Sequence, residues 1–247
     1  MPIGKLRGFY DTFYWPDNAT VSVIGDIKPD RALALVKKYY GVYSKAPNAI
    51  PQVYTEEPAQ SGPRRVTVKR AGELGVVGIS YKSPAATHAD MAALNVLGSI
   101  LSSGKTSRFY RGLTDKNLTT SVSADPGFYH DPSLFQVYAY LAPGAGHEQV
   151  EKILRDEIAR ITTDGVADTE VATAVRKISA NIAYARDGTS AVAAVLNEWI
   201  AAGDWTLYSI YPERVSKVIA ADVKRVANVY LVEDQSTTGW FVPVVSQ

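Results

Sequence analysis

Val223-Lys224-Arg225-Val226-Ala227-Asn228-Val229-Tyr230-Leu231 carries apolar side chains at helical spacing, at Val223, Val226, Tyr230 and Leu231. A turn at Asp234 then leads through Thr237 into the strand-like Gly239-Trp240-Phe241. The same order stands near the other end of the chain. There Leu6, Phe9, Phe13 and Tyr14 repeat the helical spacing, followed by Asp17, Thr20 and Val21-Ser22-Val23-Ile24. Equal separations along the chain relate each pair of positions, which is the mark of an internal repeat. The later copy closes a full-sized unit, so the earlier copy is expected to close one too. The chain therefore reads as the rear part of a longer two-unit protein. Residues 1–43 are the C-terminal tail of a truncated first domain, 44–63 a linker, and 64–247 a complete second domain. In this reading Leu6–Tyr14 is a helix, Thr20–Ile24 a strand, and Pro29–Tyr40 a second helix stopped by Gly41. Pro47, Pro51, Pro58 and Pro63 make the linker extended.

Within the second unit, Arg65–Lys69 alternates with Val66 and Val68 on one face, and Val76–Tyr81 follows as a strand. Thr87 is placed to cap a helix reaching Leu101, whose apolar face is Met91, Leu94, Leu97 and Leu101. Ser102-Ser103-Gly104 breaks it, and a short helix covers about 107–114. Thr119–Ala124 and Leu134–Leu141 read as antiparallel strands around Pro126-Gly127 and Asp131-Pro132. Helices are expected over about 147–163, 168–186, 189–202 and 213–231, with a last strand at 236–242. Strands followed by a run of helices predict an α+β fold: an antiparallel sheet with helices packed mainly on one face, preceded by the tail of a similar first domain. The apolar face of residues 1–43 (Phe9, Phe13, Tyr14, Trp15) is expected to be buried against the second unit or a neighbouring chain.

The chain has 247 residues, 46% hydrophobic and 21% charged, as in an ordinary globular protein. A formal net charge of +1 gives no electrostatic reason to expect nucleic acid or an anionic membrane. No apolar run approaches the roughly 18 residues of a transmembrane helix. Zero cysteines exclude disulfides and thiolate metal sites and leave the compartment open between cytoplasm and periplasm.

The histidines are His88, His130 and His147, none with a second histidine three to five residues away. A zinc site on one helix face needs two such imidazoles, so no metal ligand is assigned. No G-x-S-x-G nucleophile elbow occurs. Gly104-Lys105-Thr106 resembles the end of a phosphate loop, but Ser99 stands where the first glycine should be. No catalytic residue is assigned. Arg108 and Arg111 flank Tyr110 near a helix start. They suit contact with substrate carboxylates or carbonyls, or else form a solvated helix face with their stems laid along it.

Three stretches together resemble the insulinase/pitrilysin zinc metallopeptidases, the inverzincins. Pro16-Asp17-Asn18-Ala19-Thr20-Val21-Ser22-Val23-Ile24-Gly25-Asp26 is similar to the segment closing that family's first domain. Ser102-Ser103-Gly104-Lys105-Thr106-Ser107-Arg108-Phe109-Tyr110-Arg111 resembles its helix break and S-R-L-[FY] segment, and Leu118–Ala124 the strand that follows. The resemblance implies paired domains enclosing a chamber, with zinc and the H-x-x-E-H motif in the first domain. The second domain closes the chamber and helps hold peptide. That motif does not occur in this sequence. The resemblance thus implies zinc in the full-length parent and none in this fragment, which alone is expected to be inactive.

Many relatives carry an arginine and, seven residues later, a tyrosine, and the matching places here are Leu113 and Thr120. Neither supplies a cation or a phenol to an oxyanion. The parent is then either the zinc-bearing subunit of a heterodimer whose related partner supplies the pair, or a non-catalytic scaffold subunit. Arg108, Tyr110, Arg111 and Thr120 are the substrate-binding candidates. Expected partners are a peptide or protein substrate, the chain's own N-terminal domain and a related subunit. The resemblance favours the periplasm over the cytoplasm.

Overall fold

The structure is a computed structural model and describes residues 1–52 and 57–244. Five strands, β1 (Arg64–Ala71), β2 (Val76–Ser83), β3 (Thr119–Pro126), β4 (Ser133–Leu141) and β5 (Ser236–Val244), form one sheet in the order β1-β5-β2-β4-β3. β5 lies antiparallel to β2, β2 to β4 and β4 to β3, as expected. The edge pair differs: β1 runs parallel to β5, with Val66 opposite Gly239 and Val68 opposite Phe241. The short connection between β1 and β2 is therefore not a hairpin between neighbours. The last strand enters between them instead.

Alternation along the strands gives the sheet two unlike faces. Val77, Ile79 and Tyr81 of β2 and Phe135, Val137, Ala139 and Leu141 of β4 point to one side and are buried. Against that side pack α3 (Met91–Ser102), α5 (His147–Asp164), α6 (Asp168–Tyr184), α8 (Leu207–Ser216) and α9 (Ala220–Tyr230). α3 is apolar nearly all round and lies at the centre. It passes so close to β3 that a Cβ on Gly98 would sit 2.4 Å from the Ala124 carbonyl oxygen. Ser102 Oγ accepts the Ala124 N–H at 3.0 Å and fixes that approach.

Several expectations need correction. The residue before α3 is Asp90, not Thr87, and Asp90 is engaged instead with Arg225 at 2.6 Å and the Tyr230 hydroxyl at 2.8 Å. The region expected as one helix over 213–231 is two, α8 and α9, parted at residues 217–219, and α8 begins earlier. Asp222 accepts the Ile219 N–H at 3.1 Å and starts α9 afresh, a capping signal that the periodicity conceals.

Residues 1–43 hold α1 (Ile3–Phe13) and α2 (Pro29–Tyr40), as read from the sequence. The expected strand at 20–24 forms no ladder among the described residues. A strand is stable only when its N–H and C=O groups find a neighbour, and β5, its counterpart in the repeat, has one on each side. Nor does the aromatic face of α1 enter the second unit. Phe9 and Tyr14 are 54% and 63% exposed, and the rings pack on one another, Phe9 tilted against Phe13 at 4.9 Å and Tyr10 stacked on Tyr14 at 4.7 Å. The segment meets the rest of the chain at α7 (Thr189–Ala201), where Ser22 Oγ donates to Asn197 Oδ1 at 2.8 Å beside Leu196 and Ile200. Residues 53–56 of the expected linker lie outside the described residues.

Candidate substrate surface

The four residues singled out from the sequence do not converge, and no hydrogen bond joins any two of them. Arg108 begins α4 (Arg108–Gly112) and turns inward. Its Nε and Nη2 reach the two carboxylate oxygens of Glu170 at 2.9 Å each, and Nη2 also reaches the Gly165 carbonyl at 3.3 Å. Glu170 in turn accepts the Ala167 N–H at 2.9 Å, capping α6. The hydrogen bond from Arg108 holds the Glu170 carboxyl below its usual range. This fork-to-fork pair fixes α4 against α6.

Arg111, exposed, borders a polar cleft of about 220 Å³ with Ser99, Thr106, Ser107, Thr173 and Lys177. Lys177 crosses the cleft to the Ser103 carbonyl at 2.5 Å. Tyr110 is half-buried on α4. Thr120 sits at the irregularity where the β3–β4 register skips a residue, exposed, donating to the Tyr140 carbonyl at 3.3 Å. Leu113 is fully buried in the core, so that position faces away from any substrate.

The larger feature is the second face of the sheet, which no helix covers among the described residues. β1 contributes Val66 and Val68, β2 Val76, Gly78 and Ser80, β4 Tyr138 and Tyr140, and β5 Thr237, Gly239 and Phe241. Val66 is 49% exposed and Tyr140 46%, an apolar and aromatic surface left in water. A groove of about 310 Å³ runs along it. Its floor is the pair Gly78 and Gly239, which face each other across β2 and β5. A Cβ on Gly78 would come within 3.0 Å of the Tyr138 ring, so glycine keeps the groove open. Sequence reasoning missed this surface. The signal was present in β4, where Tyr138 and Tyr140 alternate with the buried Val137, Ala139 and Leu141.

On the helical side, the edge of the sheet is stitched by one carboxylate. Glu151 of α5, 5% exposed, receives Arg65 at 2.5 and 2.8 Å, Arg155 at 2.9 Å and the Trp240 indole at 2.8 Å. Burial acts to raise the Glu151 pKa, but these hydrogen bonds outweigh it and bring it down to about 2.

The histidines stay apart. His88 lies 3.8 Å from Asp90, His130 pairs with Asp131 at 2.9 Å, and His147 bonds the Phe241 carbonyl at 2.8 Å. Among the described residues no three His, Asp or Glu side chains gather as metal ligands.

Residues 2–178 match the model of the peptidase M16 inactive domain. The chain belongs to that family. It is 28% identical over 245 residues to zinc protease PqqE of Helicobacter pylori, covering 96% of this chain and 54% of the relative. The crystal structure of a protease from Helicobacter pylori superposes with a TM-score of 0.93 at 27% identity, over 98% of this chain and 60% of that one. The inactive peptidase domain of a Bordetella parapertussis protein described as a zinc protease superposes with a TM-score of 0.65 at 26% identity. That match covers 73% of this chain and 96% of that one. The chain thus spans little more than half the length of the curated relative it matches. It is an inactive domain of a zinc protease family, with the α+β fold expected from the sequence.

Proposed function

We propose that this chain is the rear, non-catalytic portion of a zinc metallopeptidase, in which it closes the substrate chamber and helps to hold peptide. Zinc and the hydrolytic chemistry belong to a preceding domain of the parent protein. The observation that carries this reading is the uncovered sheet face, with its glycine-floored groove and aromatic walls. Such a surface suits an extended peptide, whose alternate side chains fit the pleat. Tyr110, Arg111 and Thr120 are further polar candidates outside that groove, and Arg108 acts by holding α4 in place. The domain division is part of the same proposal: residues 1–43 complete a first domain, 44–63 link, and 64–247 form the second. The unpaired backbone at 20–24 supports it, because a strand without neighbours fits a sheet that lies elsewhere in the parent. A periplasmic location, which the family resemblance favours, belongs to it too.

The test is a titration of a labelled unstructured peptide, followed by fluorescence anisotropy. Gly239→Leu fills the floor and Tyr138→Ala removes a wall. Each is expected to weaken binding by about 1–2 kcal/mol, roughly 5- to 30-fold. Unchanged affinity in both variants, or zinc-dependent cleavage by this polypeptide alone, overturns the reading.

A second reading, a non-catalytic scaffold or partner subunit, is favoured by Leu113 and Thr120 at the places of the family's arginine and tyrosine. The sequence preceding this one in the parent separates the two. H-x-x-E-H there supports the enzyme, with a related subunit supplying the missing pair. Its absence supports the scaffold.

A further inference from the structure

A second concavity lies on the helical side of the molecule, away from the open sheet face. α3, α6, α7, α8 and the turn between β3 and β4 enclose about 510 Å³, the size of a small-molecule site. One wall is aromatic. Phe128 meets Trp199 and Tyr211 edge-on at 5.7 Å each, and Trp199 lies 5.0 Å from Tyr211. The Tyr211 hydroxyl accepts from Asn95 Nδ2 at 2.8 Å, which leaves its own proton free to donate.

Arg186 also lines the cavity, and its setting follows from a proline. Pro212 sits inside α8 and has no N–H, so the Tyr208 carbonyl four residues earlier lacks its helical donor. Arg186 Nη2 donates to that carbonyl, and the guanidinium lies over the Tyr208 ring, 4.2 Å from its centre. The side chain is thereby held at the cavity. Its Nε is buried and has no acceptor, and no carboxylate pairs with the guanidinium among the described residues. A fixed cation with a buried, unmet N–H is costly unless an anion completes it. Glu198, exposed, also borders the cavity, so a second negative charge on a ligand is disfavoured there.

We infer that this cavity binds a small aromatic monocarboxylate, its ring against Phe128, Trp199 and Tyr211 and its carboxylate on Arg186. The carboxylate supplies the counter-charge that the guanidinium lacks among the described residues, and the Tyr211 hydroxyl donates to the same end of the ligand or to a polar group on its body. The site is separate from the groove on the other face of the sheet and does not depend on the peptidase reading.

The experiment is isothermal titration of the protein with 3-phenylpropionate and with 3-phenylpropionamide, which share shape and differ in charge. The acid is expected to bind saturably and the amide at least about tenfold more weakly, because a charge-assisted bond to arginine is lost. Arg186→Gln is expected to erase the difference between the two probes. Ala185→Trp, at an exposed position on the rim, is expected to block both. A thermal melt of each variant reports folding, and the acid–amide comparison in the unaltered protein stands whatever the variants do. Absence of saturable acid binding, equal affinity for acid and amide, or a preference that survives Arg186→Gln each overturns the proposal.

Discussion

Glu151 shows how one side chain holds three elements, because β1, β5 and α5 all meet at its carboxylate. Glu151→Gln keeps the shape and removes the charge, leaving Arg155 beside a neutral amide. The expected cost is about 2–3 kcal/mol in chemical denaturation, below that of a fully buried pair because Arg65 is 52% exposed. The sign of the pH dependence follows from the depressed pKa. The stabilisation is complete above the ordinary glutamate value of 4.5 and is lost as pH falls toward the folded value of about 2. Denaturation midpoints measured across that window should fall steeply in the unaltered protein and less so in Glu151→Gln. Arg108 gives a second residue-scale expectation. Arg108→Lys replaces a two-point fork by a point charge and loses about 1 kcal/mol of stability, read as a lower melting temperature. Only the Glu151–Arg155 pair, four residues apart on α5, was legible in the sequence. Arg65 and Trp240 are far from it along the chain, and the parallel placement of β1 beside β5 brings them to the same carboxylate.

At the scale of elements, the approach of α3 to β3 makes a sharp demand. Gly98→Ala places a methyl against the Ala124 carbonyl, where backbone on both sides resists movement. The expected destabilisation is about 2 kcal/mol or more, although alanine is the better helix former and would stabilise an exposed site. A melt of this variant beside Gly4→Ala, where nothing lies within 4 Å, separates the two effects. Elements with strong periodicity were legible: α5 and α6 show regular apolar spacing, and β2 and β4 alternate. The break between α8 and α9 was not, since apolar residues continue through Val215, Val218 and Ile219 with no glycine to mark it. The strand at 20–24 was misread for a different reason. Its composition is that of a strand, but pairing is a property of the neighbour and not of the segment.

For the whole molecule, residues 1–52 contain no buried side chain among those described, whereas the core is drawn from residues 77–231. Limited proteolysis should therefore cut within or before the proline-rich stretch first and leave a resistant product beginning near Arg64. Equal resistance of both parts, judged by mass spectrometry of the early fragments, would contradict the division. The open sheet face and the aromatic cluster of α1 are both apolar surfaces that this chain does not cover by itself. The order of the sheet has one more consequence. β5 leaves the ribosome after the other four strands of this sheet, yet it occupies the slot between β1 and β2. Until it arrives, β1 has no partner and β2 keeps a bare edge, so the nascent chain must wait unzipped. Premature termination anywhere before Ser236 should yield polypeptide fit for degradation, not a shorter folded protein.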